Sequence, residues 1–300
     1  MREVIKTLSF LNREEKMKYC TLYNNTSHII DEIDEIIIYF DKNKILNLFA
    51  DFIPKHQSQR IIIELRDSYE ENLEALKKIS IIHKENPELK FDLLVNNFEQ
   101  DFINLLKNSN IKYFFHTYVN NWDTFKGLIA LGASDIYIVE NMGFELDKIS
   151  KIAHNNNIKI RVFPNVAQSS WNDTQDIYKF FIRPEDIDIY EKYVDVYEFY
   201  GNSKKTEIYY NIYKNNKKWF GNLKEIIIGM NSDLDSRYII PRFADKRSRC
   251  GKECFKGGKC KVCDRIIELS QSLKDANLIV KIDRKDKKRS EDNNGERTEE

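Results

Sequence analysis

Four of the five cysteines fall within fourteen residues, Cys250, Cys254, Cys260 and Cys263, in the stretch RCGKECFKGGKCKVCDR; only Cys20 lies elsewhere. Four soft thiolates packed this tightly form the ligand set of one metal centre. A tetrahedral all-cysteine zinc site and a cubane iron–sulfur cluster both draw four such sulfurs from short, bendable loops. Between the two pairs, Phe255-Lys256-Gly257-Gly258-Lys259 carries two glycines able to take the positive backbone angles that fold one pair back on the other. Two disulfides are the structural alternative, and they suit a cysteine-poor intracellular chain badly.

The cysteines sit in a basic belt. From Arg242 to Arg265 there are nine Lys and Arg against Asp245, Glu253 and Asp264, although the whole chain balances at 48 basic and 48 acidic residues. Such a belt neutralises thiolates and lowers their pKa. As a surface, it would also attract RNA or another anionic partner.

A second group of polar residues stands in apolar runs. Glu64 lies in IIIEL, where a carboxylate must be paired, protonated or used. His116 lies in YFFHTY, a setting that more often holds a satisfied core histidine than a base. Glu140 closes DIYIVE, whose alternation puts Ile136, Ile138 and Glu140 on one face and Tyr137 and Val139 on the other; Arg161 and Arg183 are its candidate salt-bridge partners. The histidines His28, His56, His83 and His154 have no partner motif and read as surface. No Ser-His-Asp order, HExxH, phosphate loop or dinucleotide fingerprint occurs. Cys250-x3-Cys254 lacks the third cysteine of a radical-SAM signature.

These residues need elements to hold them. From Glu35 on, short β-branched and aromatic runs alternate with segments of helical spacing. The runs are 35–40, 60–65, 90–95, 112–117, 135–140, 158–163, 179–182 and 194–199. Between them, Ile45/Leu46/Phe49/Phe52/Ile53, Leu73/Leu76/Ile79, Phe98/Phe102/Leu105/Leu106, Trp122/Phe125/Leu128/Ile129 and Leu146/Ile149/Ile152/Ala153 predict one-sided helices. Eight strands alternating with helices predict an α/β fold, a (β/α)8 TIM-type barrel. An open doubly wound sheet usually has a glycine-rich first turn, and Phe40-Asp41-Lys42-Asn43-Lys44 has none.

The predicted organisation is a helical or irregular lead-in over 1–34, the barrel over 35–230, and a cysteine-rich module with a final helix over 231–282. Within this plan, 204–215 reads as a helix, 225–228 as a short extra strand and 264–276 as the last helix. A charged tail over 283–300 has nothing apolar to bury. In a barrel, function gathers where strands end. That selects Glu64, Arg66, Asp67, Asn96, Asn97, His116, Glu140, Asn141, Asn165, Gln168, Arg183 and Glu198.

From Tyr118 to Gly201 the chain resembles a divergent member of peptidase family U32, the collagenase-like proteases. WDTFKGLIALGA (122–133) precedes a strand ending in Glu140, and a helix and IKIRVFPNV follow. Further on, Pro184, Glu185-Asp186, Tyr193-Val194-Asp195 and Gly201 fall in a segment similar to that family's. Where the family has a histidine-glycine and a cysteine after strand six, this chain has Pro164-Asn165-Val166-Ala167-Gln168; an arginine usual after the last glycine is Asn202. The resemblance implies a barrel and an iron–sulfur (4Fe–4S) cluster, held here by Cys250, Cys254, Cys260 and Cys263, with zinc the alternative metal. It also implies modification, by hydroxylation, of an RNA or small aromatic substrate. Glu140, Glu64, His116 and Arg183 would line the mouth as acid/base or binding groups. A zinc-stapled, non-catalytic binding module is the first alternative and a peptidase the second. With no long apolar run and no signal peptide evident, the chain is expected in the cytoplasm and off the membrane.

Overall fold

The computed structural model describes residues 5–8, 34–45, 47–167, 179–199, 208–209, 211–213, 219–231, 233–239, 243–248, 250 and 261–275. Nine strand segments, all paired in parallel, form one sheet: β1 (Ile5–Leu8), β2 (Glu35–Tyr39), β3 (Arg60–Glu64), β4 (Asp92–Val95), β5 (Tyr113–Phe115), β6 (Tyr118–Val119), β7 (Asp135–Ile138), β8 (Lys159–Val162) and β9 (Val196–Phe199). Their order is β5-β4-β3-β2-β1-β9-β8-β7-β6. The two ends of that order, β5 and β6, are pieces of a single strand parted by His116 and Thr117. The β5 piece pairs with β4 and the β6 piece with β7. Ser134 N also donates to Tyr113 O at 3.0 Å, so the same strand meets a neighbour on each side and the ring closes. The fold is an eight-staved parallel α/β barrel.

The eight staves are not the eight runs expected. Ile5–Leu8, inside the segment expected as a lead-in, is the stave between β2 and β9. With only Ile5 and Leu8 apolar, it lacks the continuous hydrophobic run that marks a strand buried on both faces. Conversely, 179–182 is no stave. Phe180, Phe181 and Ile182 are fully buried, which makes them look like a strand, but Ile182 N donates to Pro164 O at 3.2 Å and the segment crosses beyond the end of β8.

Staves β2, β3, β4, β5, β7, β8 and β9 bury both faces. Ile37, Ile62, Leu94, Phe114, Tyr137 and Phe163 cluster inside the barrel, while alternate residues such as Ile36, Ile38, Ile61, Ile63, Ile136 and Ile138 pack outward against the helices. The principal helices are α1 (Tyr69–Glu85), α2 (Gln100–Ser109), α3 (Trp122–Leu131), α4 (Leu146–Asn155), α5 (Ile187–Tyr190), α6 (Phe243–Arg247) and α7 (Val262–Asp275). Ser68 and Glu71 form a capping box that starts α1, and Gly132, at φ 82°, closes α3. The helix expected at 45–53 is a π-helical turn, Asn47–Phe52, running into Ile53–Lys55, where Pro54 supplies no N–H to the ladder.

The expected strand at 225–228 is instead a 3₁₀ turn, Leu223–Glu225, and Ile228 makes only a bridge to Val166. Through that bridge, Ile228 N to Asn165 O and Ala167 N to Ile228 O at 2.8 Å, the chain beyond 219 is built onto the extension of β8. The last helix, expected over 264–276, is observed as Val262–Asp275. The tail 283–300 lies outside the described residues, and no described helix is long and apolar enough to cross a membrane.

Candidate metal centre and barrel mouth

The barrel's floor is ionic. Arg60 makes a bidentate pair with Asp135 at 2.6 and 2.8 Å and also reaches Asp92 at 2.6 Å and Glu35 at 2.8 Å. Arg161, fully buried, holds Glu35 at 2.7 Å, Asp135 at 2.8 Å and Glu198 at 3.2 Å, with its guanidinium 4.9 Å from the Phe114 ring centre. Burial works to raise the Glu35 and Asp135 carboxyls, but the two arginines beside them overcome it and hold both below the usual range. At Asp92 burial wins over Arg60 and the carboxyl is raised. These residues were not singled out as a group from sequence. Their signal is the charge that opens or interrupts each apolar run: Glu35, Arg60, Asp92, Asp135 and Arg161.

Above the floor, Tyr137 OH donates to Glu198 Oε2 at 2.8 Å, and burial together with that carboxylate pushes the phenol well above its usual value. Phe163 stacks on Tyr137 with ring centres 5.4 Å apart, and Tyr118 meets both rings edge-on. At the C-terminal end of β3, buried Glu64 takes Nε–H of Arg66 and faces His116 Nδ1 at 3.0 Å. His116 Nε2 in turn lies 2.9 Å from Tyr118 OH; in the neutral ring whose Nδ1–H faces the Glu64 carboxylate, Nε2 accepts from the phenol. The line Glu64–His116–Tyr118 ends at a side chain 41% exposed. It can move a proton between a buried carboxylate and a phenol at the opening. Tyr118 was missed from sequence, although it stands two residues beyond His116.

The other mouth residues divide. Tyr39 OH donates to Asp67, and Asn72 donates to Asn96 at 3.1 Å and Asn97 at 2.7 Å, tying the exits of β2, β3 and β4 together. Arg183 does not join Glu64 and His116. It is buried in a bidentate pair with Asp186, at 2.6 and 2.7 Å, and reaches Glu185 at 3.1 Å and Ser236 O at 3.2 Å, so it clamps the 184–186 turn to the 236–239 turn. Glu140 opens a 3₁₀ turn, Glu140–Glu145, rather than closing β7. Its side chain and that of Asn141 lie outside the described residues, as does Gln168. Both arginines considered as its partners, Arg161 and Arg183, are engaged with other carboxylates. Of the histidines read as surface, His56 is buried against Gln59 at 2.9 Å and His154 pairs with Asp195 at 2.8 Å.

Cys250 and Cys263 are half-buried, and both pack against the main core. Cys250 N closes a turn onto Arg247 O at 3.1 Å, and Cys263 is the second residue of α7. Both thiols bear on the charge of Arg247, which burial pushes below its usual pKa. Arg247 is 3% exposed and is caged by Phe181, Phe243 and Phe144 at 4.3, 4.8 and 4.9 Å. One nitrogen, Nη2, donates to Lys179 O, while Nε and Nη1 have no acceptor. Phe144 belongs to the turn after β7, and Phe181 neighbours Ile182, whose N–H bonds Pro164 just past β8. The cysteine pair is thus docked at the C-terminal end of the barrel.

Cys254, Cys260 and Cys20 lie outside the described residues, and among the described residues no group of three or more His, Cys, Asp or Glu is arranged to hold a metal. A buried cation with orphaned donors beside two thiols fits an anionic thiolate centre.

No family profile and no curated protein matches the chain. Among solved structures, it is similar to a variant of the tryptophan synthase alpha-subunit from the hyperthermophile Pyrococcus furiosus, at 15% identity, TM-score 0.43, covering 77% of this chain and 100% of that one. It is also similar to a 4-hydroxy-2-oxoglutarate aldolase (11% identity, TM-score 0.37, 70% and 92% covered) and to a designed cube-shaped protein cage (9%, 0.39, 99% and 88%). Likeness at this level carries no argument about function. The barrel rests on its own strand pairing.

Proposed function

We propose that the chain is an iron–sulfur barrel enzyme of the U32-like type that modifies, by hydroxylation, an RNA or small aromatic substrate in the cytoplasm. The observation that carries this reading is the convergence of Cys250 and Cys263 on Arg247, at the end of the barrel where active sites of this fold are built. Cys250, Cys254, Cys260 and Cys263 would hold the cluster, which when bound supplies one-electron transfer. The chain's own residues supply the rest. Glu64 orients His116, and His116 takes or returns a proton at Tyr118 Oη. Tyr118, exposed at the opening, offers a ring on which a nucleobase or another aromatic ring stacks. The basic belt at 242–265 attracts an anionic partner such as RNA.

The test is anaerobic purification followed by iron, sulfide and zinc analysis. Brown protein with about four iron and four sulfide per chain is expected. Colourless protein with about one zinc per chain would replace the enzyme with a zinc-stapled binding module. Cleavage of a peptide substrate by metal-free protein would favour the peptidase.

A further inference from the structure

Among the described residues, Arg247 is the buried cation whose guanidinium has two nitrogens without an acceptor. Leaving such donors dry is costly, and native proteins rarely do it without a ligand or unplaced group to receive them. Around it, the ring centres of Phe181, Phe243 and Phe144 lie 4.3, 4.8 and 4.9 Å from the guanidinium carbon, and Lys179 O accepts from Nη2. Asp186 and Tyr190 also bear on its charge, but Asp186 is committed to Arg183 through both carboxylate oxygens. Both described cysteines bear on the same charge, one three residues along the chain and one at the start of α7.

Resting on the reading of the four cysteines as one metal centre, we propose that Arg247 is the positioning residue of that centre, its Nε–H and Nη1–H donating to metal-bound thiolate sulfur. Four cysteinates around a divalent metal carry a net negative charge, and a guanidinium held dry against them offsets it. Hydrogen bonds to ligand atoms fix ligand orientation, and their loss typically costs about 10–100-fold in metal affinity. Because Arg247 is packed on Phe144 and Phe181, the same side chain would fix the centre against the turns that follow β7 and β8.

Cobalt(II) titration of the full, metal-stripped chain under anaerobic conditions tests this, since cobalt in a thiolate site is seen through its sulfur-to-metal charge-transfer bands. Arg247→Met, which keeps the apolar stem among the rings, is expected to weaken cobalt binding about 10–100-fold. It should also move the charge-transfer bands to lower energy, because sulfur freed of hydrogen bonds gives up electrons more readily. A purely structural arginine would not move the bands of the cobalt still bound. Where Arg247→Met fails to fold, Arg247→Lys serves: it keeps the charge but offers one nitrogen, and weaker binding with lower-energy bands is again expected. Wild-type affinity and band positions in a folded variant would overturn the role of Arg247 and leave the metal centre standing. If the wild-type chain shows no thiolate bands, both fall.

Discussion

Asp135 carries two arginines at once. It meets Arg60 through both oxygens and Arg161 through one, wholly out of water. Its carboxyl, like that of Glu35, is held below the value it has in the unfolded chain, about 4. The stabilisation from both is therefore complete above that value and is lost as the pH falls through their folded values. Asp92, raised by burial, works with the opposite sign: its contribution is present in acid and fades as the pH rises through its folded value. Melting temperature is expected to hold steady near neutrality and to fall below ~pH 4. Asp135→Asn should cost about 1.5–3 kcal/mol at neutral pH by weakening the charge-assisted bonds to Arg60 and Arg161, which keep Glu35, Asp92 and Glu198, and should flatten the acid limb. Thermal melts of both proteins between ~pH 3 and 7 decide it. An acid limb as steep as the wild type's would remove Asp135 from the account.

Single residues were unevenly legible. Glu64 and His116 announce themselves by interrupting apolar runs, and the structure joins them at 3.0 Å. Arg183 announces itself the same way, yet a carboxylate three residues on, Asp186, claims it; strand-end position does not reveal what lies beside a side chain in space.

At the scale of elements, the turn after β7 decides how the cysteine segment docks. Gly143 lies in that turn, and a Cβ built on it would overlap the Phe180 ring. Phe180 cannot easily yield, because its ring is met edge-on by Phe144 at 5.9 Å and Tyr190 at 6.2 Å. Gly143→Ala is expected to cost about 1–3 kcal/mol through overpacking, and pairing it with Phe180→Leu should restore part of the loss. Denaturant unfolding of the single and double variants measures both. An unperturbed single variant would show that the turn and the 179–183 segment are not in such close contact.

Periodicity located seven of the eight staves, because a strand buried on both faces needs a continuous apolar run. It missed Ile5–Leu8, where Lys6 and Thr7 break the run, and promoted 179–182, whose burial comes from covering the end of β8. The helices of one-sided spacing from α1 to α4 were legible throughout. The ring's closure was not, since it depends on one strand, 113–119, changing partners at His116 and Thr117.

For the whole molecule, we propose two pieces of chemistry at one end of the barrel: a proton relay from Glu64 to Tyr118, and a four-cysteine centre to which Cys250 and Cys263, beside Arg247, belong. The cysteines were plain in the sequence; that Cys250 and Cys263 share a buried arginine was not, because Arg247 looks like any member of a basic belt until the fold buries it. The central claim is that one centre uses four cysteines and leaves Cys20 out. Metal content per folded chain, measured after anaerobic purification of Cys250→Ser, Cys254→Ser, Cys260→Ser, Cys263→Ser and Cys20→Ser, tests it most directly. The account expects metal to be lost from each of the first four while the barrel's circular dichroism persists, and full metal in Cys20→Ser; full stoichiometry in any of the four, or loss in Cys20→Ser, would contradict it.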